Sequence, residues 1–326
     1  MDLILRAQRI GVMVNAVFLF ALLSGLVFSP IAAAAEPVVG VVYPDIREPF
    51  RSVFISIAKG IGAKLGTDPQ MLPLADSQAV QDVASWARSE NIEVIVALGS
   101  RGPAISDALS DAMPVIVGAV HISPDLLDKR YAGVSLNPDP LLLLERLRTF
   151  APTVRRVTVI YHRERESWMI DRAADTARRL GLELNAIPVD RLQEAVGAYG
   201  EVLASLRSGT DALWLSQDSA VLDEQAVLPM ILREAWNRKL IVFSSNPGHV
   251  RRGVLFALYP DNYAMGTRLG AMTLEFAAKG NGNPKTQGLR VLRDISVALN
   301  VRTANHIGLR YPKEVLQAID LVFPLM

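Results

Sequence analysis

The 326-residue chain contains no cysteine. That excludes disulfide staples, thiolate metal sites and anchoring through an acylated cysteine. An excess of charge of one sign is also missing, since 34 Lys+Arg stand against 33 Asp+Glu. A nucleic-acid binder needs a basic surplus to neutralise phosphates, so no nucleic-acid partner is expected. The phosphate-cradling loops G-x-G-x-x-G and G-x-x-x-x-G-K-[ST] do not occur, and neither do the nucleophile elbow G-x-S-x-G or the zinc helix H-E-x-x-H. The four histidines, His121, His162, His249 and His306, are scattered without ligand spacing. No metal, cofactor or catalytic residue is therefore expected. Ser244 or Ser245 with His249 in one turn is a weak nucleophile–base signal. The alternating run Arg163-Glu164-Arg165-Glu166 reads as a solvated entry into a helix.

What the chain does have begins with an export signal. Arg6 and Arg9 precede an uncharged apolar run over residues 10–28, then Pro30 and the small-residue run Ala32 to Ala35. This is the layout of a cleavable signal peptide over residues 1–35, cut before Glu36, so a periplasmic location is expected. Its removal takes away Asp2, Arg6 and Arg9, leaving 32 charges of each sign. The remaining 291 residues exceed the size at which single cores stop growing, and two lobes are expected.

From residue 38 onward, short β-branched runs alternate with amphipathic stretches. Strands are predicted at 38–43, 71–74, 94–98, 115–118 and 131–134, with helices at 49–65, 76–89 and 139–150. A second series opens at 157–161 after Ala151-Pro152. Its helices are predicted at 167–180, 193–207 and 220–237, and its further strands at 183–187, 212–215 and 240–243. A strand at 254–258, a helix at 262–279 and the soft linker 280–284 follow. This alternation predicts an α/β fold of two doubly wound parallel-sheet lobes joined by a hinge. The N-terminal lobe is expected at 36–152 plus about 260–285, the C-terminal lobe at 153–259. The tail 286–326 is expected to pack across the hinge or on the C-terminal lobe.

In such sheets ligands bind beyond the carboxyl ends of the strands, where helix N-termini point N–H groups into the crevice. The loops at those ends supply the candidate ligand-binding residues: Asp45, Glu48, Ser100, Arg101, His121, Tyr161, Gln217, Asp218, Ser244 and Asn246. Ser100 and the Arg101-Gly102-Pro103 turn suit a carboxylate, because arginine offers a bidentate fork. Asp45 and Asp218 suit an ammonium group, and Tyr43, Tyr161 and Tyr259 suit stacking on a flat solute. Each has a plainer reading as a cap, a turn residue or core.

The order of these pieces resembles the bacterial ABC-transporter substrate-binding family that includes tryptophan- and tyrosine-type binding proteins, with the type I periplasmic-binding fold. The carriers are Ala97-Leu98-Gly99-Ser100 before a Pro-Ala helix start, Met113-Pro114-Val115-Ile116-Val117, Tyr131-Ala132-Gly133-Val134-Ser135 and Asp211-Ala212-Leu213-Trp214. The most specific is the tail from Asn300-Val301-Arg302-Thr303-Ala304-Asn305 through His306-Ile307-Gly308-Leu309 to Pro312. The resemblance implies capture of an amino-acid-like or other organic-acid solute between the lobes, near Ser100, His121, Tyr161, Gln217, Asp218 and Ser244. It implies delivery to the membrane permease of an ABC importer. Presentation of the solute to a receptor kinase is the alternative, and a monomer is expected in either case. The chain departs from the family pattern at Arg101-Gly102 and at His121 to Asp125, both at the mouth of the expected pocket. An aromatic amino acid is therefore not carried over as the ligand. An export segment where a helix-turn-helix would be needed argues against a repressor.

Overall fold

The computed structural model describes residues 37–121, 131–278 and 288–324. The expected export segment, residues 122–125 and the linker 280–284 lie outside the described residues. The first series runs β1 (Val39–Pro44), α1 (Phe50–Leu65), β2 (Gln70–Leu74), α2 (Val80–Ser89), β3 (Val94–Leu98), α3 (Gly102–Leu109), β4 (Val115–Val120) and β5 (Ala132–Pro138). The second runs α4 (Pro140–Phe150), β6 (Arg156–His162), α5 (Arg163–Arg179), β7 (Glu183–Val189), α6 (Leu192–Ser205), β8 (Asp211–Trp214), α7 (Val227–Arg238), β9 (Ile241–Ser244), α8 (Pro247–Arg252) and β10 (Phe256–Pro260). After these come α9 (Asn262–Ala278), β11 (Leu289–Leu292), β12 (Ile295–Asn300), α10 (Val301–His306), α11 (Lys313–Gln317) and β13 (Leu321–Phe323).

Every residue of β3 (VIVAL) and β4 (VIVGAV) is buried. Such uninterrupted apolar runs need cover on both faces, which only a parallel sheet with helices on each side supplies. Val41, Val96 and Leu98 pack with Ile57 and Ile61 of α1. Their neighbours Val42, Ile95 and Ala97 face the other way, onto Val83 and Ala87 of α2 and Ile105 of α3. The second series repeats this. Val157 and Val159 meet Leu143, Leu147 and Phe150 of α4 and Ile170 of α5, whereas Ile160, Leu213 and Leu215 meet Tyr199 of α6 and Ile231 of α7.

The first sheet has the order β11-β5-β4-β3-β1-β2 and the second β13-β12-β10-β9-β8-β6-β7. Among the described residues all strand pairs are parallel except β10 with β12. The chain therefore forms the expected pair of doubly wound parallel sheets. In each, the strand order reverses beside the opening strand: β1 lies between β2 and β3, and β6 between β7 and β8. Reversals of this kind open crevices at the carboxyl ends of the strands.

The chain passes between the sheets at β5 to α4, at β10 to α9 and at β11 to β12, and hydrogen bonds tie these passages together. The Asp139 N–H donates to the Leu292 carbonyl at 2.9 Å, and the Asp261 N–H to the Asp294 carbonyl at 3.0 Å. Each passage carries an aspartate that ties it to a helix. Asp139 caps α4 by accepting from the Leu141 N–H at 3.0 Å, Asp261 accepts from the Ala264 N–H at 2.9 Å, and Asp294 is held by both arms of Arg268. Three short, mutually bonded connections of this kind are the arrangement in which hinge closure of two halves takes place.

The passage through α9 has a demanding packing requirement. Its Gly266 lies so close to α1 that a Cβ there would sit 2.0 Å from the Ile57 carbonyl oxygen, and a Cβ on Gly60 would sit 2.0 Å from that of Tyr263. Glycine at both positions lets the helices touch backbone to backbone. No described helix is long and apolar enough to cross a membrane.

Candidate functional site

A cavity of about 700 Å³ lies at the carboxyl ends of both sets of strands. The first half contributes His121 after β4, and Asn137 and Pro138 at the end of β5. The second contributes Glu164 to Met169 in the opening turns of α5 (Ser167 excepted), Trp214 to Ser219 at and after β8, and Ser245 after β9. A volume of this size suits a small organic molecule.

The floor on the second half is one hydrogen-bonded chain. His162, in extended conformation, stands at the N-cap position of α5, and Glu166 reaches back to accept from its N–H at 2.8 Å. The other Glu166 oxygen accepts from the Ser216 hydroxyl at 2.7 Å. That hydroxyl in turn accepts from the Asp218 N–H at 2.9 Å. Asp218 accepts from the Ala220 N–H at 2.9 Å and from both arms of Arg165, with Oδ2 at 2.7 Å from Nε and Oδ1 at 3.0 Å from Nη2. Burial pushes the Glu166 carboxyl above the ordinary carboxylate range, and the nearby Asp218 charge adds to this. The His162 N–H, the Ser216 hydroxyl and the Arg165 charge pull the other way and do not fully offset it. Gln217 donates from Nε2 to the Ser245 carbonyl, locking the β8 and β9 loops together. Across the cleft, His121 Nδ1 lies 3.2 Å from Asn137 Oδ1.

Of the ten residues singled out from the sequence, His121, Gln217 and Asp218 line this cavity. The other seven are placed elsewhere. Asp45 and Glu48 lie on the exposed loop before α1, where Glu48 accepts from the Ser52 N–H at 3.2 Å. Ser100 is exposed in the turn leading to α3. The Arg101 guanidinium, read as a carboxylate clamp, instead donates to the Ala75 and Gln78 carbonyls, both at 2.7 Å, and fastens the β2–α2 loop. The Tyr161 ring packs against the second core. Ser244 is fully buried, with Oγ 2.8 Å from His249 Nδ1. Asn246 caps α8 by accepting from the Gly248 N–H at 2.8 Å and donates to Glu224 at 3.0 Å.

His249 Nε2 is 3.2 Å from that same Glu224 oxygen. Burial pulls the His249 imidazole below its ordinary range, and Glu224 only partly opposes this. The serine, histidine and glutamate thus clamp α8 onto β9, with the serine hydroxyl closed off from solvent.

Sequence reasoning missed Trp168, Met169, Trp214 and the two glutamates. Spacing carried a usable signal for some of them. Once α5 is taken to start at Arg163, Glu164 and Trp168 stand four residues apart and share one helix face.

A search of the curated proteins finds no match. Among solved structures, the chain is similar to a ligand-free, open substrate-binding protein with adhesive properties, CD0873 from Clostridium difficile. That one is 16% identical, with 89% of this chain and 100% of that one covered and a TM-score of 0.65. It is also similar to an ABC domain from Streptococcus pneumonia in complex with L-Trp, at 18% identity, 89% and 100% coverage and a TM-score of 0.54. A periplasmic ribose ABC transporter from Conexibacter woesei is 15% identical, with 83% and 94% covered and a TM-score of 0.53. At these identities the likeness bears on the fold alone. The sequence itself decides the family, because the model for ABC transporter substrate binding proteins matches residues 71–322, which take in most of both sheets, β1 excepted, and every described residue of the cleft. The chain is therefore a member of the ABC transporter substrate binding protein family.

Proposed function

We propose that this protein is the extracytoplasmic solute-capturing component of an ABC importer: it takes a small organic solute into the cleft between its halves and hands it to a membrane permease. The observation that carries the reading is the cavity of about 700 Å³, lined at the strand ends from both halves, which three hydrogen-bonded passages connect. A solute touching both walls stabilises the closed arrangement, because when the cleft is open it reaches only one of them. Residues 1–35 act as a cleaved export signal in this reading, placing a monomer in the periplasm. The candidate ligand contacts are His121, Gln217 and Asp218, joined by Glu164, Glu166, Trp168 and Trp214.

The test is a melting-temperature screen of residues 36–326 against amino acids, organic acids, amines, nucleosides and sugars. A ligand at a hundred times its Kd contributes about 2.7 kcal/mol, so one class is expected to raise Tm by about 5–10 °C. A flat response to every class would contradict the proposal.

A further inference from the structure

If the cleft is the solute site, as proposed above, its charge selects the solute. Among the described residues three carboxylates line it, Glu164, Glu166 and Asp218, against the single guanidinium of Arg165. Arg165 is already engaged by Asp218 through two short contacts, so these two charges cancel. Glu166 receives only neutral donors, the His162 N–H and the Ser216 hydroxyl. Glu164 stands exposed one turn before Trp168. The uncompensated Asp, Glu, Lys and Arg charge of the described lining is therefore negative.

The places where a ligand anion would normally be held are filled or turned away. The opening turns of α5 line the cleft, and there Glu166 places the chain's own carboxylate on the N–H of the N-cap residue His162, so negative charge already stands at the positive end of this helix. Arg101, beside the N-terminus of α3, points its fork at two backbone carbonyls. In the described lining an incoming carboxylate would meet like charge, with no lysine there and the one arginine, Arg165, already held by Asp218. The remaining lining includes Trp168, Met169, Trp214 and Leu215. Indole faces are the best aromatic partners for organic cations, and the apolar side chains suit a hydrocarbon body.

We propose that the cleft takes an organic cation, an amine, guanidine or quaternary ammonium on a compact apolar body, rather than an organic acid. Glu164 supplies the main compensating charge, backed by Glu166 behind it, and Trp168 supplies the aromatic wall over a base formed by Trp214, whose ring is stacked on Phe243.

The test is calorimetric titration of residues 36–326 with putrescine, agmatine and choline, alongside succinate, L-glutamate and ribose. At least one cation is expected to bind, more weakly as salt is raised. Glu164→Gln is expected to weaken it about 10-fold or more, as expected for loss of a charge-assisted contact. Glu164 is exposed on the first helical turn, so its variant folds as wild type and an unchanged Tm verifies this; Glu166→Gln gives the second arm. Cation binding that is indifferent to both substitutions overturns the proposal. Binding of succinate, L-glutamate or ribose in place of the cations overturns it too, while leaving the solute-binding reading intact. If none of the six binds, the cation class falls, and the broader Tm screen decides the solute-binding reading separately.

Discussion

Gly266→Leu is expected to lower stability by about 3 kcal/mol or more, because the new side chain has nowhere to go but into backbone. A Cβ at Gly266 would lie 2.0 Å from the Ile57 carbonyl oxygen, 2.8 Å from its carbon and 3.0 Å from the Cα of Gly60, and none of these is a flexible side-chain end. Relief requires α1 and α9 to move apart, which opens the core formed by Ile57, Ile61, Met265 and Leu269. For a protein of this size the loss corresponds to about 6–12 °C in Tm. The control is Gly200→Ala in α6, where a Cβ meets nothing within 4 Å. There alanine is expected to stabilise by about 0.5–1 kcal/mol, since it lowers the entropy lost on forming the helix. Thermal melts of the two variants check both signs. An unchanged Tm for Gly266→Leu would mean that the two helices do not meet as described. The consequence reaches function, because α9 is one of the three passages between the halves.

Asp211→Asn is expected to cost about 3 kcal/mol while leaving solute affinity of the folded protein unchanged. Asp211 opens β8 with its side chain fully buried, accepting from Arg156 at 2.5 Å and from the Arg207 N–H at 2.9 Å. Burial alone would push its carboxyl up, but the Arg207 N–H and the Arg156 guanidinium outweigh that and hold it below its ordinary value of 3.8. A carboxyl lowered in the folded state stabilises above its unfolded value, and that contribution is lost as pH falls through the lowered one. The stability gap between wild type and Asp211→Asn is thus expected in full at neutral pH and narrows as pH falls below the ordinary value of 3.8. Denaturant melts at pH 7 and pH 3 read this directly. Affinity is spared because Asp211 and Trp214 sit at opposite ends of one strand, about 10 Å apart.

Much of the architecture was readable from local pattern. The buried runs of β3 and β4 and the Asp139-Pro140 helix start stand where the sequence put them, with β4 two residues longer, because each is marked by a local run of residue types. Boundaries moved where side chains capture backbone groups. The helix expected from residue 220 begins at Val227, since Asp218 takes the Ala220 N–H and Asp223 takes those of Gln225 and Ala226, making two turns first.

The cleft was harder to read, for a physical reason. Which strand-end residues face a crevice depends on how two sheets meet, and hydrogen bonding over long sequence separations redirects the obvious candidates. Arg101 was drawn to carbonyls more than twenty residues away. The charged run at Arg163 to Glu166 looked like solvated surface because its partners, Ser216 and Asp218, lie fifty residues on.

The central claim, that a solute bridges the two halves in this cleft, is met most directly by amide hydrogen exchange with and without whichever solute raises Tm. Protection is expected to rise together in the opening turns of α5, in the loop after β8 and at Asn137 at the end of β5, with the far ends of the sheets unaffected. Protection confined to one half, or centred away from these segments, would contradict it.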